Sequence, residues 1–264
     1  MVMGIVNVTP DSFSDGGQFF DLELAVRHGV ELAHEGADIL DIGGESTRPG
    51  AEPVSVDEEL RRVLPVIRAL RAKTKALISI DTFKARVARE ALAAGADIVN
   101  DVSGLMHDAE MISVLQQSKA GVVLMHMKGE PRTMQLNPVY DDVVAEVRAF
   151  FDARLRVLAE AGVDERRVML DPGIGFGKAV AHNLALLRSL PALRARGRPM
   201  LIGVSRKSMI GKLIGSDDLA DRAWPTVALT SYVREHGASA VRVHEVAANV
   251  QAMRMTEAII GMEP

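Results

Sequence analysis

Residues 35–43 read EGADILDIG, and this stretch decides the fold. A glycine that ends a helix is followed by a short apolar run, and the run carries a polar residue, Asp41, close to its end. The same pattern returns as AGADIVNDV from residue 94 and as HGASAVRVH from residue 236. Because the spacing between these copies is not fixed, they indicate a recurring helix-to-strand junction rather than a solenoid repeat.

Eight such apolar runs are spread along the whole chain. Each has the length of a strand and is too continuous for a half-exposed antiparallel strand, which is typical of parallel strands buried on both faces. Helical patterns separate them. Two of these patterns predict single helices over 180–196 and 219–236, and Ser55 with Glu58 predicts a capping box before the helix over 56–71. We therefore predict an α/β protein, a (β/α)₈ (TIM) barrel, with an open doubly wound sheet as the alternative. The runs are 3–8, 38–43, 77–82, 97–102, 121–126, 167–172, 200–205 and 240–245.

The bulk properties restrict the kind of protein. A chain of 264 residues suits one such domain over 1–264, although length alone leaves two domains possible. The net charge of −4 and the lack of a dense basic stretch argue against nucleic acid as a partner. There is no cysteine, no secretion signal and no run long enough to cross a membrane, so we expect a cytoplasmic protein with no membrane partner.

Polar residues fall at the carboxyl ends of the eight runs. In a (β/α)₈ barrel these ends converge on one face, where the active site is built. The sequence therefore predicts an enzyme before any motif is considered. The residues are Asn7, Asp41, Asp81, Asn100, His126, Asp171, Ser205 and the pair Arg242 and His244.

Several of these positions allow two interpretations. Asn7 is either an oxygen ligand for a ligand group or a hydrated Mg²⁺, or a residue that only caps its turn. Arg48, in GGESTRPG (43–50), binds a ligand or is merely solvated. Lys207, at the tip of a buried strand, is costly unless paired or used, and the alternative is that it extends to solvent. Arg242 and His244 share one side of the eighth strand, which suits a phosphate-type anion.

Two patterns are better interpreted as structural. DPGIGFGK (171–178) matches neither the Walker A motif nor GxGxxG, so it predicts only a flexible loop, with Asp171 at its base and Phe176 at its tip. His126 lies between two methionines and is expected to be a hydrogen-bonded wall residue. The absence of HExxH or a similar spacing argues against catalytic zinc.

Taken together, the motifs resemble those of the dihydropteroate synthase family of pterin-binding barrels, from about residue 3 to the carboxyl terminus. The resemblance implies that 6-hydroxymethyl-7,8-dihydropterin diphosphate is joined to 4-aminobenzoate, with release of pyrophosphate by a dissociative route. A catalytically silent pterin-binding paralogue and a phosphosugar enzyme are the competing hypotheses. The motifs are NVTPDSFSDGG (7–17), DIGGESTRPG (41–50), SIDT (79–82), NDVSG (100–104), HMKGEPRTMQ (126–135), DPGIGFGK (171–178), GVSRKS (203–208) and VRVHE (241–245).

The resemblance also implies roles for single residues. The residues that it assigns to pterin binding are Asp41, Asp81, Asn100, Asp171, Lys207 and Arg242. The residues that it assigns to catalysis are Lys207, Arg242, His244 and Asp81. The diphosphate falls to Asn7, Arg242 and His244, with Mg²⁺ as cofactor beside Asn7. The 4-aminobenzoate pocket, where sulfonamides would compete, falls to Thr47, Arg48, Pro49, Phe176 and Ser205. A homodimer is expected on the same ground.

Overall fold

The computed structural model describes residues 1–9, 17–46, 50–129 and 133–262, with residues 17–21 described by their main chain alone. The predicted aminobenzoate residues Thr47, Arg48 and Pro49 lie outside these ranges, as do residues 10–16 of the predicted first loop.

Strands and helices alternate through the described ranges. The strands are β1 (Val2–Asn7), β2 (Ile39–Gly43), β3 (Leu77–Asp81), β4 (Ile98–Asp101), β5 (Gly121–Met125), β6 (Val168–Asp171), β7 (Leu201–Ile202) and β8 (Ala240–Val243). The helices are α1 (Gly17–His34), α2 (Val56–Arg71), α3 (Ala85–Ala93), α4 (Met111–Gln116), α5 (Val143–Glu160), α6 (Val180–Arg188), α7 (Leu190–Leu193), α8 (Ser208–Ile214), α9 (Ala223–Glu235) and α10 (Val246–Ile259).

The eight strands form one sheet in the order β6-β5-β4-β3-β2-β1-β8-β7. Neighbouring strands are parallel, and β8 returns to pair with β1, where Met3 is opposite Arg242. The remaining gap between β6 and β7 is bridged at Leu170 and Met200, and Leu170 N donates to Pro199 O at 2.9 Å. The prediction of a (β/α)₈ barrel is therefore confirmed, and the open-sheet alternative is wrong.

The continuous apolar runs are explained by burial on both sides of the sheet. Inside the barrel, small and large side chains from different strands meet, and they include Met3, Ile39, Val123, Leu201 and Ala240. Outside it, the alternate strand residues pack with the helices in a second, larger core that includes Val6, Leu40 and Phe151. Strands buried in this way leave their polar groups only at their ends, and this directs the chemistry to the barrel mouth.

The recurring helix-to-strand junction has a backbone cause. Gly36, Gly95 and Gly237 adopt φ values of 101°, 114° and 92°, a region that residues with a Cβ rarely occupy. Each glycine ends its helix with a left-handed residue, so the chain turns back at once into the next strand.

Some helix predictions differ from the structure. The helix predicted over 180–196 is broken into α6 and α7, because Pro191 stands in the first turn of a new helix. The helix predicted over 219–236 starts only at Ala223, and α8 was not predicted. At the start of α2, Ser55 Oγ accepts from Glu58 N at 3.3 Å, but the Glu58 carboxylate binds arginines instead of completing the capping box.

Across the described residues, no helix is both long enough and apolar enough to cross a lipid bilayer.

Candidate active site

The carboxyl ends of four neighbouring strands lie in one row. Asn7 of β1 is opposite Gly43 of β2, Gly43 is opposite Asp81 of β3, and Asp81 is opposite Asn100 of β4. A Cβ placed on Gly43 would lie 3.8 Å from Asp81 Oδ2 and 3.9 Å from Asn7 Oδ1. Because Gly43 has no side chain, the oxygens of Asn7 and Asp81 face the same space.

Arg242 of β8 connects this row to the layer beneath it. Its Nε donates to Asp41 Oδ2 at 2.6 Å, and its Nη2 donates to Asp81 Oδ2 at 2.9 Å. Asn100 Nδ2 donates to the same oxygen of Asp41 at 3.1 Å. We call Arg242, Asp41 and Asp81 the mouth cluster. Asp41 is 0% exposed, so it influences the mouth through the side chains that it binds, Arg242 and Asn100.

Burial shifts the ionisation of the two acids that border the mouth. Desolvation raises the pKa of Asp81 to about 7, against the opposing attraction of Arg242 and with a further rise from Asp41. Desolvation also raises the pKa of Asp171, while the backbone N–H of Gly173 and nearby cations pull it down. The mouth therefore holds carboxyl groups that burial makes harder to ionise and that cations help to keep charged.

The loop after β6, residues 171–178, is held by hydrogen bonds at its base and near its tip. Gly173 N donates to Asp171 Oδ1 at 2.7 Å, and Gly175 N donates to Asn183 Oδ1 at 2.8 Å. Gly173, Gly175 and Gly177 have φ values of 65°, 83° and 62°. We call this segment the β6 loop. The glycines give it a compact path with its backbone hydrogen-bonded.

Lys207 lies against the tip of this loop. Its Nζ is 4.1 Å from the centroid of the Phe176 ring, a cation–π contact. An extended chain would place Ser205 and Lys207 on one side and Arg206 on the other, but Arg206 has a φ of 54°, so the chain is not extended there. The turn sends Arg206 into an ion pair with Glu245, while Lys207 faces the β6 loop.

The last two strands bring Ser205 and His244 together. Ser205 Oγ lies 2.9 Å from His244 Nδ1 and also accepts from His244 N at 3.2 Å, so the imidazole has a fixed orientation. Between Asp171 and Arg242 stands Gly203, whose added Cβ would lie 3.9 Å from Asp171 Oδ2 and 4.0 Å from Arg242 Cβ. The ends of β6, β7 and β8 thus open onto one space.

A second buried group of charges was missed in the sequence. Lys84 Nζ donates to Glu45 Oε2 at 2.5 Å, to Glu59 Oε2 at 2.6 Å and to Val54 O at 2.6 Å. Glu45 Oε1 in turn accepts from Val54 N at 3.3 Å. We call Lys84, Glu45 and Glu59 the loop cluster, because it joins the two stems of the segment between Glu45 and Val54. No local sequence signal links three residues so far apart in the chain.

The structure brings most of the predicted site residues to the barrel mouth. His126 is 7% exposed and hydrogen-bonded to Lys178 rather than directed at the mouth cluster, in keeping with a wall residue. Thr47, Arg48 and Pro49 are outside the described residues. The residues placed at the carboxyl ends of the strands or in the loops that follow them are Asn7, Asp41, Asp81, Asn100, Asp171, Phe176, Ser205, Lys207, Arg242 and His244.

The donor set at the mouth fits Mg²⁺ only as a hydrated ion shared with a substrate. In the described parts of the chain, no group of three His, Cys, Asp or Glu side chains could hold a metal ion. Mg²⁺, however, usually keeps several waters and takes one or two protein oxygens together with substrate phosphates. Asn7 Oδ1 and the Asp81 carboxylate, which flank Gly43, supply oxygens of that kind.

Comparisons with known proteins agree with this geometry. A family model described as pterin binding enzyme matches residues 3–244. A dihydropteroate synthase from Synechocystis sp. is 48% identical, over 98% of this chain and 89% of its own. The structure of Xanthomonas albilineans dihydropteroate synthase with 4-aminobenzoic acid has a TM-score of 0.93 and 50% identity, covering 99% of this chain and 93% of that one. Yersinia pestis dihydropteroate synthase, with a sulfonamide drug complex, has a TM-score of 0.93 and 43% identity over 98% and 94%.

Similarity at this level runs through nearly the whole of both chains and includes the strands that carry the mouth residues. The chain therefore belongs to the family of pterin-binding enzymes and, within it, to the dihydropteroate synthases.

Proposed function

We propose that this chain catalyses the reaction of its family at the mouth of its barrel. The reaction joins 6-hydroxymethyl-7,8-dihydropterin diphosphate to 4-aminobenzoate, giving 7,8-dihydropteroate and pyrophosphate. One observation carries the proposal: Arg242 of β8 reaches the carboxylates of Asp41 and Asp81 on β2 and β3. Acceptors for a pterin ring and cations for a diphosphate thereby share one opening.

The acids of the mouth suit the pterin ring. A pterin presents an amino group beside a ring N–H, and one carboxylate can accept from both. Asp171 is suited to this role, because its Oδ1 is fixed by Gly173 N at 2.7 Å and the absent side chain of Gly203 leaves space near its Oδ2. Lys207 would donate to the ring's acceptors, and Asn100 and Asp81 would contact its other edge. Asp41, which is fully buried, would orient Arg242 and Asn100.

The cations suit the leaving group. As the bond between the methylene carbon and the diphosphate oxygen breaks, its electron pair goes to the pyrophosphate, and negative charge develops there. Arg242 and His244 would stabilise that charge, with His244 oriented by Ser205. Mg²⁺, held by Asn7 and the diphosphate, would neutralise part of the same charge.

The other half of the reaction needs little help from the protein. Departure of pyrophosphate leaves a cationic pterin methylene, which the mouth carboxylates would stabilise. The lone pair of the 4-aminobenzoate nitrogen then forms the new C–N bond, and the nitrogen gives its extra proton to solvent water. This route needs no dedicated nucleophile and base, and it is the route implied by the family resemblance.

The aminobenzoate pocket is proposed to lie beside Phe176 and Ser205. The family resemblance also assigns Thr47, Arg48 and Pro49 to it, and these three residues lie outside the described ranges. Phe176 supplies an aromatic face near the mouth, where Lys207 already contacts it. The Xanthomonas relative binds 4-aminobenzoic acid and the Yersinia relative forms a sulfonamide drug complex, which supports the proposal that this chain binds 4-aminobenzoate and that sulfonamides compete with it.

We also propose a homodimer, formed through α9 and α10. Trp224, Met255 and Ile259 on these neighbouring helices are 78%, 64% and 74% exposed, an unusual accumulation of large apolar side chains. A cytoplasmic location remains a prediction from the sequence.

The test is pyrophosphate release from the dihydropterin diphosphate, measured with and without 4-aminobenzoate. We expect release that depends on both substrates and is abolished in Lys207→Ala. A pterin-binding paralogue without catalysis would bind the dihydropterin diphosphate and release nothing, and that result would overturn the proposal.

A further inference from the structure

Lys178, which has no part in the mechanism above, closes the β6 loop from beneath. Its Nζ donates to Phe176 O at 2.9 Å and to His126 O at 3.2 Å, and it lies 3.0 Å from His126 Nδ1. One ammonium thus joins the tip of the β6 loop to the end of β5. All three of its N–H groups have an acceptor.

The burial of Lys178 is unusual. The residue is only 2% exposed, and lysine is rarely buried this deeply without a partner of opposite charge. Among the described carboxylates, none lies within ion-pair distance of its Nζ; the partners are two carbonyl oxygens and an imidazole nitrogen. A buried charge with no carboxylate in direct contact costs stability, which indicates that the position serves something other than folding.

The β6 loop and the end of β5 are in direct main-chain contact. A Cβ on Gly173 would overlap His126 O, and a Cβ on Gly177 would overlap Lys128 O. Tyr140 adds a further anchor, because its hydroxyl donates to Gly177 O at 2.9 Å. The loop is therefore packed against the end of β5 and held there by Lys178 and Tyr140.

The two ends of this anchored loop carry residues of the proposed site. Asp171 stands at its base, where its carboxylate accepts a hydrogen bond from Gly173 N. Phe176 stands at its tip, with the ammonium of Lys207 over its ring. One of the two carbonyl groups that accept from Lys178 belongs to Phe176 itself. A shift of the loop would therefore move the aromatic face and the pterin carboxylate together.

We propose that Lys178 is a positioning residue for the reaction: it fixes the β6 loop on the end of β5 and sets the electrostatic surroundings of Asp171. The inference rests on the proposed role of Asp171 in binding the dihydropterin. Lys178 itself does not touch the substrate.

The ionisation of the neighbouring groups supports this assignment. Burial lowers the pKa of His126 to about 3, so the neutral imidazole can accept from the ammonium. Burial lowers the pKa of Lys178 to about 7, although Asp171 raises it, while Lys207 and Lys128 lower it. The positive charge of Lys178 is therefore present mainly below pH 7.

This positive charge acts on Asp171, whose carboxylate becomes protonated as the pH falls. Burial raises the pKa of Asp171, and the facing charges of Lys207 from the segment after β7, Lys178 from the β6 loop and Arg242 from β8 lower it. Removing the charge of Lys178 raises the pKa of Asp171 further. In that case the Asp171 carboxylate, the proposed acceptor for the dihydropterin, would become protonated at a higher pH than in the wild type.

The test is the pH dependence of kcat/KM for the dihydropterin diphosphate in Lys178→Met, which keeps the length of the side chain but has neither charge nor donors. We expect a loss of kcat/KM at every pH, because the β6 loop loses its anchor, and in addition an acid limb that moves to higher pH. The loss at about pH 6 should therefore exceed the loss at about pH 8.5, by up to roughly ten-fold for a shift of one pKa unit. Lys212→Met, which removes an exposed lysine charge on α8, is the control and should keep the wild-type limb.

A purely structural role predicts a different result. In that case Lys178→Met would lower kcat/KM by the same factor at every pH, and this outcome would overturn the inference. If Lys178→Met does not fold, Lys178→Gln, which can still donate to Phe176 O, is measured in its place with the same expectation. The wild type assayed in parallel separates the two claims, because an inactive wild type refutes the proposed function, whereas an active wild type with unshifted variants refutes only the role of Lys178.

Discussion

The mouth cluster and the loop cluster have the same composition in different places. Each contains one cation and two carboxylates from distant parts of the chain, joined at distances of 2.5–2.9 Å. Each also leaves one buried carboxylate oxygen, Asp41 Oδ1 or Glu59 Oε1, without a hydrogen-bond partner in the described structure. Neither the charges nor the unsatisfied oxygen distinguishes them.

Their surroundings do distinguish them. The mouth cluster lies at the ends of β2, β3 and β8, beside Asn100, and the Arg242 side chain keeps 24% of its surface exposed toward the opening. In the loop cluster, the third N–H of Lys84 donates to Val54 O, and the ion-pair partner Glu59 of α2 is only 1% exposed. A buried ion cluster therefore indicates chemistry only where strand ends supply further polar groups and an opening.

The largest expected effect is that of Arg242→Met on turnover. Loss of the guanidinium removes charge stabilisation of the leaving group, and removal of one such donor costs about 10²- to 10³-fold in kcat. The variant should also be less stable, because Asp41 and Asp81 are left without their cation. Turnover is measured by pyrophosphate release and stability by urea unfolding.

The second variant, Arg242→Met with Asp81→Asn, separates these two effects. It should regain stability, because one of the two carboxylates is now neutral, but it should not regain turnover. Near-normal turnover in either variant would contradict the assignment of Arg242.

Lys84→Met should show the opposite balance. It leaves Glu45 and Glu59 buried without their cation, which costs about 3–5 kcal/mol of unfolding free energy for a buried pair. Below its melting temperature the variant should keep turnover within about ten-fold of the wild type, because the cluster touches no reacting group. Arg86→Ala, which removes a partner of Asp57 in an exposed pair, is the control and should change stability by less than about 1 kcal/mol. A catalytic loss as large as that of Arg242→Met would remove the distinction between the clusters.

The pH dependence of stability offers a smaller test at Asp81. Its pKa is raised to about 7 in the folded protein, against about 3.9 in unfolded chains, so between these values the native state binds more protons than the unfolded state. The contribution of Asp81 to stability is therefore fully present below about pH 4 and is lost as the pH rises toward 7. Urea unfolding of the wild type and Asp81→Asn across this window should show the wild type losing stability relative to the variant. A constant difference would show that the pKa of Asp81 is not raised.

The smallest effect is expected for Ser205→Ala. The variant loses the bond from Ser205 Oγ to His244 Nδ1 at 2.9 Å, and a single hydrogen bond contributes about 0.5–1.5 kcal/mol. The KM for the dihydropterin diphosphate should rise by about two- to ten-fold, measured in steady-state kinetics. An unchanged KM would mean that Ser205 does not orient His244 for the diphosphate.

The mouth could be predicted from the sequence because its residues obey a rule of the fold. Parallel strands buried on both faces leave polar groups only at their ends, and those ends meet on one side of the barrel. Asn7, Asp81 and Asn100 therefore lie in one row, although Asn7 and Asp81 are 74 positions apart in the chain and Asp81 and Asn100 are 19 apart.

The remaining features follow no such rule. The loop cluster depends on side chains from three separate segments, and nothing near Glu45 in sequence indicates Lys84. The β6 loop looks flexible because of its glycines, yet it is held by Tyr140 from another part of the chain, by Asn183 of the following helix and by its own Lys178. The positive φ of Arg206 is likewise set by tertiary contacts, since its main-chain N–H donates to Thr226 Oγ1 at 3.1 Å.

The most direct test of the contrast between the two clusters is calorimetric titration of the dihydropterin diphosphate into Arg242→Met and Lys84→Met, each at a temperature where it is folded. We expect Lys84→Met to bind with the dissociation constant of the wild type and Arg242→Met to bind at least about ten-fold more weakly, for the loss of a charge-assisted contact. Equal weakening in both variants, or wild-type binding by Arg242→Met, would contradict the assignment of the mouth cluster to the substrate and the loop cluster to the fold.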